Sequence, residues 1–133
     1  MVRYCMTKPD ISEWIAKAEG DYTTALREYR ARKSPNYDAA CFHAQQCVEK
    51  YLKAFLQKRQ VLFAKTHDLG VLLDACIKHS SLLEGWRDQF EMLSQYAVLF
   101  RYPGESAVRD DGNKAVSAMK SFRIEMRNIL GLD

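Results

Sequence analysis

Apolar residues recur at steps of three and four along most of the chain, and each such stretch predicts a helix with one buried face. The longest runs from Tyr37 to about Arg59. Tyr37, Cys41, Ala44, Val48, Tyr51 and Phe55 form its stripe, which Ala40, Cys47 and Leu52 widen to the breadth of a core-facing surface. His43, Gln46, Lys50 and Gln57 fall on the far side as a polar row. Phe42, Glu49 and Leu56 lie on a third side, where the two apolar residues suit a second core or a dimer contact.

Four further stretches carry the same periodicity. Ile11 to Arg32 places Ile11, Trp14, Ala18, Tyr22, Ala25 and Tyr29 in one stripe, with Asp10 and Glu13 spaced as a capping box. Gly20 inside it costs about 1 kcal/mol relative to alanine. Ser34 is expected to cap the second helix, with Pro35 at its first position. Thr66 is expected to cap a third, His67 to His79, whose inner face carries Leu69, Leu72, Leu73 and Cys76. Ser81 and Glu84 form a second capping-box pattern before a fourth helix, Leu82 to Phe100, with the stripe Leu82, Trp86, Phe90, Leu93, Ala97 and Phe100. Pro103 punctuates the break from Arg101 to Asp111. Asp110 or Asp111 then caps a fifth helix that runs to Leu130 on Ala115, Met119, Phe122, Met126 and Ile129. No stretch alternates with period two for long enough to make a strand. Short links make sequential helices antiparallel, so the expected fold is all-α: an up-down antiparallel bundle of four to five helices, one domain over residues 1–133.

Composition agrees with this reading. Six glycines and three prolines supply few of the turns an all-β fold needs, and 133 residues can bury a core without staples. The net charge of +3 neither demands nor excludes a nucleic-acid partner. Lys53, Lys58 and Arg59 gather toward the end of the second helix, where cations suit the dipole. No apolar run approaches a membrane span, and MVRYCMTKPD lacks the apolar core of a signal peptide, so the expected location is cytoplasmic. Cys5, Cys41, Cys47 and Cys76 have neither CxxC nor zinc-ligand spacing and read as small hydrophobes. His43, His67 and His79 have no ligand partner at helical spacing, so no metal or cofactor is expected.

Three groups remain as candidate chemistry. His43, Gln46 and Lys50 together offer donors and acceptors to a base, a sugar or a phosphate. His67 and Asp68 open the third helix, where Asp68 suits the dipole and His67 can reach across to a neighbouring helix. Arg101 follows the fourth helix beside Tyr102; an arginine fork beside an aromatic ring suits a phosphate and a stacked base.

The combination CFHAQQCVEKYLKAFL, then THDL, then RYP before a last amphipathic helix resembles the HEPN domain family, over Trp14 to Leu130. Trp14, Ala18, Asp21 and Ala25 extend the likeness into the first helix. The resemblance implies two long antiparallel central helices, frequent homodimers, and partnership with a minimal nucleotidyltransferase in a two-component, toxin–antitoxin-like system. It also implies nucleotide or RNA-phosphate binding. In several branches it implies a metal-independent ribonuclease using an arginine and a histidine four to six residues apart. Here no histidine follows Arg101, and His67 lies outside that spacing from Arg59. The reading is therefore a phosphate-holding domain without the usual catalytic pair, with ligand-binding residues Arg101, Tyr102, His43, Gln46, Lys50, His67 and Asp68. The alternatives are a ribonuclease that uses His43 or His67 instead, and a purely structural interaction module.

Overall fold

The computed structural model describes residues 10–133, with α1 at Ser12–Arg30, α2 at Tyr37–Lys58, α3 at Leu69–Ile77, α4 at Arg87–Leu99 and α5 at Arg109–Ile129. A 3-10 turn, Ser81–Trp86, leads into α4, and no strand forms among the described residues. Cys5 lies outside them.

Cross-helix contacts define the topology. Trp14 meets Gln57, Glu19 meets Tyr51, and Asp21 meets Lys50, so α1 and α2 run antiparallel. Trp86 meets Glu125 and Phe90 meets Phe122, so α4 and α5 are antiparallel as well. Tyr51 meets Arg127 and Lys58 meets Leu130, so α2 and α5 run the same way. The result is an all-α up-down bundle, with α2 in contact with all four other helices.

That central position explains the burial of α2. Its apolar stripe is fully buried from Ala40 to Phe55, with Tyr37 half-buried at its start, and Leu56 from the third side is buried as well. More unexpectedly, Gln45, Glu49, Lys53 and Gln57 are buried too. They repeat every four residues, so they form one polar ridge along the helix. Lys53 therefore does not serve the helix end: its ammonium lies 3.0 Å from Glu49 and 5.4 Å from the centroid of the Trp14 ring.

Local chemistry moves several helix ends from their expected places. Asn36, not Ser34, caps α2: its side chain accepts the Ala39 N–H at 2.9 Å, while Ser34 takes a left-handed φ of 48° in the preceding turn. Asp10 accepts the Ser12 N–H, yet the residue at the cap position is Ile11. Asp68, not Thr66, caps α3 through the Gly70 and Val71 amides. The Ser81–Glu84 pattern forms no cap; it sits in the 3-10 turn, and Glu84 pairs with Arg87 instead. Three residues per turn shift the register there, so Leu83 is fully buried and the expected Leu82 is 84% exposed. Asp111 lies inside α5, where its carboxylate accepts the Val108 N–H.

α2 ends in a Schellman turn. Gln60, at φ 58°, donates to the Gln57 carbonyl, and Val61 donates to Leu56. At the other end of the bundle, Gly112 lets α5 approach closely: a Cβ there would lie 3.0 Å from the Tyr37 ring and 3.2 Å from Tyr29. No helix among the described residues is long and apolar enough to cross a membrane.

Candidate functional site

Helix packing leaves a cleft of about 480 Å³ between the first half of α2, the approach to α3 and the C-terminal half of α4. Gln45 and Gln46 line one wall with Phe42, Ser94, Ala97 and Val98 line the other, and His67, Asp68 and Arg101 complete it. Four of the residues singled out in the sequence thus meet here: Gln46, His67, Asp68 and Arg101.

The approach to α3 holds His67 in place. Thr66 Oγ1 accepts the Asp68 N–H at 3.1 Å, and Asp68 Oδ1 accepts Gly70 N–H at 2.9 Å. These turns keep His67 outside the helix, its carbonyl fastened by Gln45 Nε2 at 3.0 Å. Its Nδ1 lies 3.0 and 3.1 Å from the two oxygens of Glu49. The pairing is lopsided in exposure: the His67 side chain is 81% exposed and that of Glu49 is 2%. Gln46 adds a third donor to the same carboxylate, its Nε2 3.2 Å from Glu49 Oε1 and 2.7 Å from Gln45 Oε1.

Arg101 follows α4 in a turn, where its own N–H bonds the Val98 carbonyl. Its side chain is exposed and makes no hydrogen bond or ion pair with any described residue. Arg87, which lines a neighbouring cleft, is by contrast neutralised by Glu84 and Asp74. A guanidinium without a carboxylate beside an open cleft is a standing offer to an anion.

The remaining candidates lie elsewhere. His43 Nδ1 lies 2.8 Å from Asp21 Oδ1, and Lys50 bonds the other oxygen of Asp21. Gln57 bonds the Trp14 indole and the Asp10 carbonyl. These three side chains face α1 or the residue leading into it, and neither His43 nor Lys50 lines the cleft. Tyr102 is 59% exposed beside Arg101 and does not line the cleft either.

No buried thiol is a nucleophile. Burial raises the Cys41 and Cys76 thiols to about 12, and it pushes Cys47 up as well, so all three stay protonated at neutral pH. Among the described residues no group of three His, Cys, Asp or Glu side chains is placed to hold a metal ion. On the opposite face, Glu19 binds Arg123 through two hydrogen bonds and also bonds Tyr51. The Arg123 contact holds the Glu19 carboxyl below its ordinary range. Burial and the bond to Glu19 push the Tyr51 phenol up. This network ties α1, α2 and α5 together.

The sequence reading passed over Glu49 and Gln45 as site residues. The signal was present as the four-residue repeat of Gln45, Glu49, Lys53 and Gln57, a second polar ridge next to the row of His43, Gln46 and Lys50.

These features define an all-α helical bundle with an open cleft between α2, α3 and α4, beside which Arg101 stands without an ion-pair partner. The HEPN domain model matches residues 11–129, and the chain belongs to that family. No curated protein and no solved structure matches it.

Proposed function

We propose that the cleft binds the phosphate of a nucleotide or of RNA, with Arg101 as the anion clamp. The unpaired Arg101 guanidinium at the cleft carries this reading. Phe42, 38% exposed, supplies an aromatic surface in the same cleft, and Gln46, His67 and Asp68 supply polar groups for a sugar or a base. Tyr102 lies next to the clamp and can stack on a base that extends past it. His43 and Lys50 act in this reading by fastening α2 to α1 through Asp21. Self-association and a minimal nucleotidyltransferase partner belong to the same reading. Family membership supports both, and exposed Val98, Leu99 and Tyr102 offer apolar surface for a protein contact.

Titration with ATP, GTP and short RNAs tests the clamp. A charge-assisted hydrogen bond contributes about 1.5–3 kcal/mol, so Arg101→Ala is expected to weaken binding roughly 10- to 150-fold without changing the melting temperature. Equal affinity in wild type and variant would remove Arg101 from the site.

One observation favours a second reading, a metal-independent ribonuclease with His67 as the proton acceptor. A buried carboxylate bonded to Nδ1 orients an exposed imidazole in the cleft that Arg101 lines. His43, held by Asp21, lacks that placement. RNA incubated with the protein in EDTA is then cleaved, and His67→Ala stops it while His43→Ala does not. Intact RNA after prolonged incubation sinks this reading and leaves the first standing.

A further inference from the structure

Residues 27–33 hold four of the chain's twenty basic residues and one of its seventeen acidic ones, which leaves sixteen of each sign for the rest. The whole formal excess of +3 therefore sits at the end of α1. Arg27 and Arg30 occupy the last turn of the helix, where cations suit the dipole. Arg32 and Lys33 lie beyond it, in the turn to α2, where that field has faded. All four side chains are exposed, and none makes an ion pair or hydrogen bond with a described residue. The start of α5 packs against this end: Tyr29 bonds Asn113 at 3.1 Å, and Gly112 lies against the Tyr29 and Tyr37 rings. It brings a fifth exposed cation without a partner, Arg109. The neighbouring aspartates are engaged locally. Asp38 accepts the Ala107 N–H, Asp111 accepts the Val108 N–H, and Asp110 pairs with Lys114. That leaves Glu28 and Glu105 to offset these five cations.

We propose that residues 27–33, together with Arg109, contact the phosphate backbone of a single-stranded RNA outside the cleft. The proposal takes its ligand from the phosphate reading of Arg101 but uses no residue of the cleft. α4 ends and α5 begins at this end of the bundle, so Arg101 and Arg109 flank one connection. A strand held by one phosphate at Arg101 can pass over that connection to Arg109 and on to the end of α1. The chemistry favours backbone over bases. Guanidinium forks match phosphate oxygens. Tyr29, the one ring within residues 27–33, is half-buried, bonded to Asn113 and packed 6.1 Å from the Tyr37 ring, so it offers no face for stacking. Contact of this kind carries no sequence preference. A membrane surface fits less well, because no exposed apolar side chain lies among residues 27–33.

The salt dependence of binding tests it. For single strands, log affinity falls against log salt concentration with a slope of about 0.7 per phosphate neutralised, so four cations account for about 2 to 3 of it. The variant is Arg27→Gln/Arg30→Gln/Arg32→Gln/Lys33→Gln, at exposed positions where glutamine keeps the helix propensity. With an oligouridylate of about twenty nucleotides, its slope is expected to be shallower than that of wild type by about 2 to 3. ATP is too short to leave the cleft, and the variant is expected to bind it within about twofold of wild type. Arg101→Ala is expected to weaken ATP binding and to change the RNA slope by less than about 1. If Arg101→Ala affects neither ligand while the quadruple variant flattens the RNA slope, the surface is upheld and the clamp falls. An RNA slope that the quadruple variant leaves within about 0.5 of wild type overturns the surface; ATP binding that still depends on Arg101 then leaves the phosphate reading in place. Equal loss of ATP and RNA binding in the quadruple variant overturns it too, because the segment would then act through the fold. Polyglutamate of matching charge is the control. Tighter binding of it than of RNA, lost in the same variant, assigns the surface to an acidic protein segment instead. No RNA binding by wild type overturns the surface outright.

Discussion

Glu49→Ala is expected to cost about 3–5 kcal/mol of folding stability, among the largest effects of any single replacement in this chain. The reason is the lysine beneath it rather than the carboxylate itself. The Lys53 side chain is 7% exposed, and its ammonium meets Glu49 at 3.0 Å and the Trp14 ring face. With the carboxylate gone, a charge remains in a nearly dry environment with only an aromatic face for company. Gln46 and His67 lose an acceptor at the same time. Removing both charges is a different experiment. Glu49→Met/Lys53→Met is expected to stay within about 1 kcal/mol of wild type, because the pair's Coulomb attraction mostly offsets the desolvation of two ions. Urea denaturation separates the cases: a lower midpoint with unchanged slope for Glu49→Ala, and a near-native midpoint for the double variant. A loss below about 1 kcal/mol in Glu49→Ala would mean that water reaches Lys53 and that the pair is not buried in solution.

The same residues mark the boundary of what the sequence made legible. Five helices, their stripes and their antiparallel order follow from apolar periodicity, which reports one buried face per helix. α2 breaks that premise because four other helices surround it. Its second polar ridge, Gln45 to Gln57, is as buried as its apolar stripe, and no periodicity distinguishes a polar residue paired in the interior from one in water. Helix ends were misplaced where two capping residues competed within a few positions. Thr66 and Asp68 are both good caps, and the carboxylate won, which put His67 outside α3 and within reach of Glu49. Arg101 stood out in the sequence by its place after a helix, and it lies at the cleft without an ion pair to any described residue. His43 and Lys50 share a helix face with Gln46 in sequence. Asp21, from another helix, captures both, and such a partner is visible only once α1 and α2 are docked. Leu82 and Leu83 exchanged roles for a purely geometric reason, the tighter pitch of the 3-10 turn.

Phe122→Ala is expected to cost about 3–5 kcal/mol, and the loss is expected to reach the cleft from the far end of α4. The Phe122 ring is fully buried and meets Phe90 edge-on at 5.0 Å and Trp86 edge-on at 5.2 Å. Trp86 and Phe90 stack on one another at 6.1 Å, and the Trp86 indole N–H bonds Glu125. This aromatic triad fastens the start of α4 to α5. Alanine removes both edge contacts and leaves a cavity that Trp86 and Phe90 cannot fill without giving up their mutual stacking, so cavity and pair losses add. α4 has fewer fully buried residues than α2, Phe90 and Leu93 against a whole stripe. Local opening therefore falls on α4 before it reaches the centre of the bundle. Val98 and Arg101, which close the cleft from the α4 side, loosen with it, whereas Gln46 and His67 stay anchored to α2 through Glu49. Hydrogen exchange tests this order: in Phe122→Ala, protection is expected to fall more for α4 amides than for those of α2, and affinity for a phosphate ligand to fall with it. Phe122→Leu, which keeps most of the volume, is expected to cost less than about 1.5 kcal/mol and to leave binding near wild type. Uniform loss of protection across all five helices would instead make the bundle a single cooperative unit, and α4 would then have no separate hold on the site.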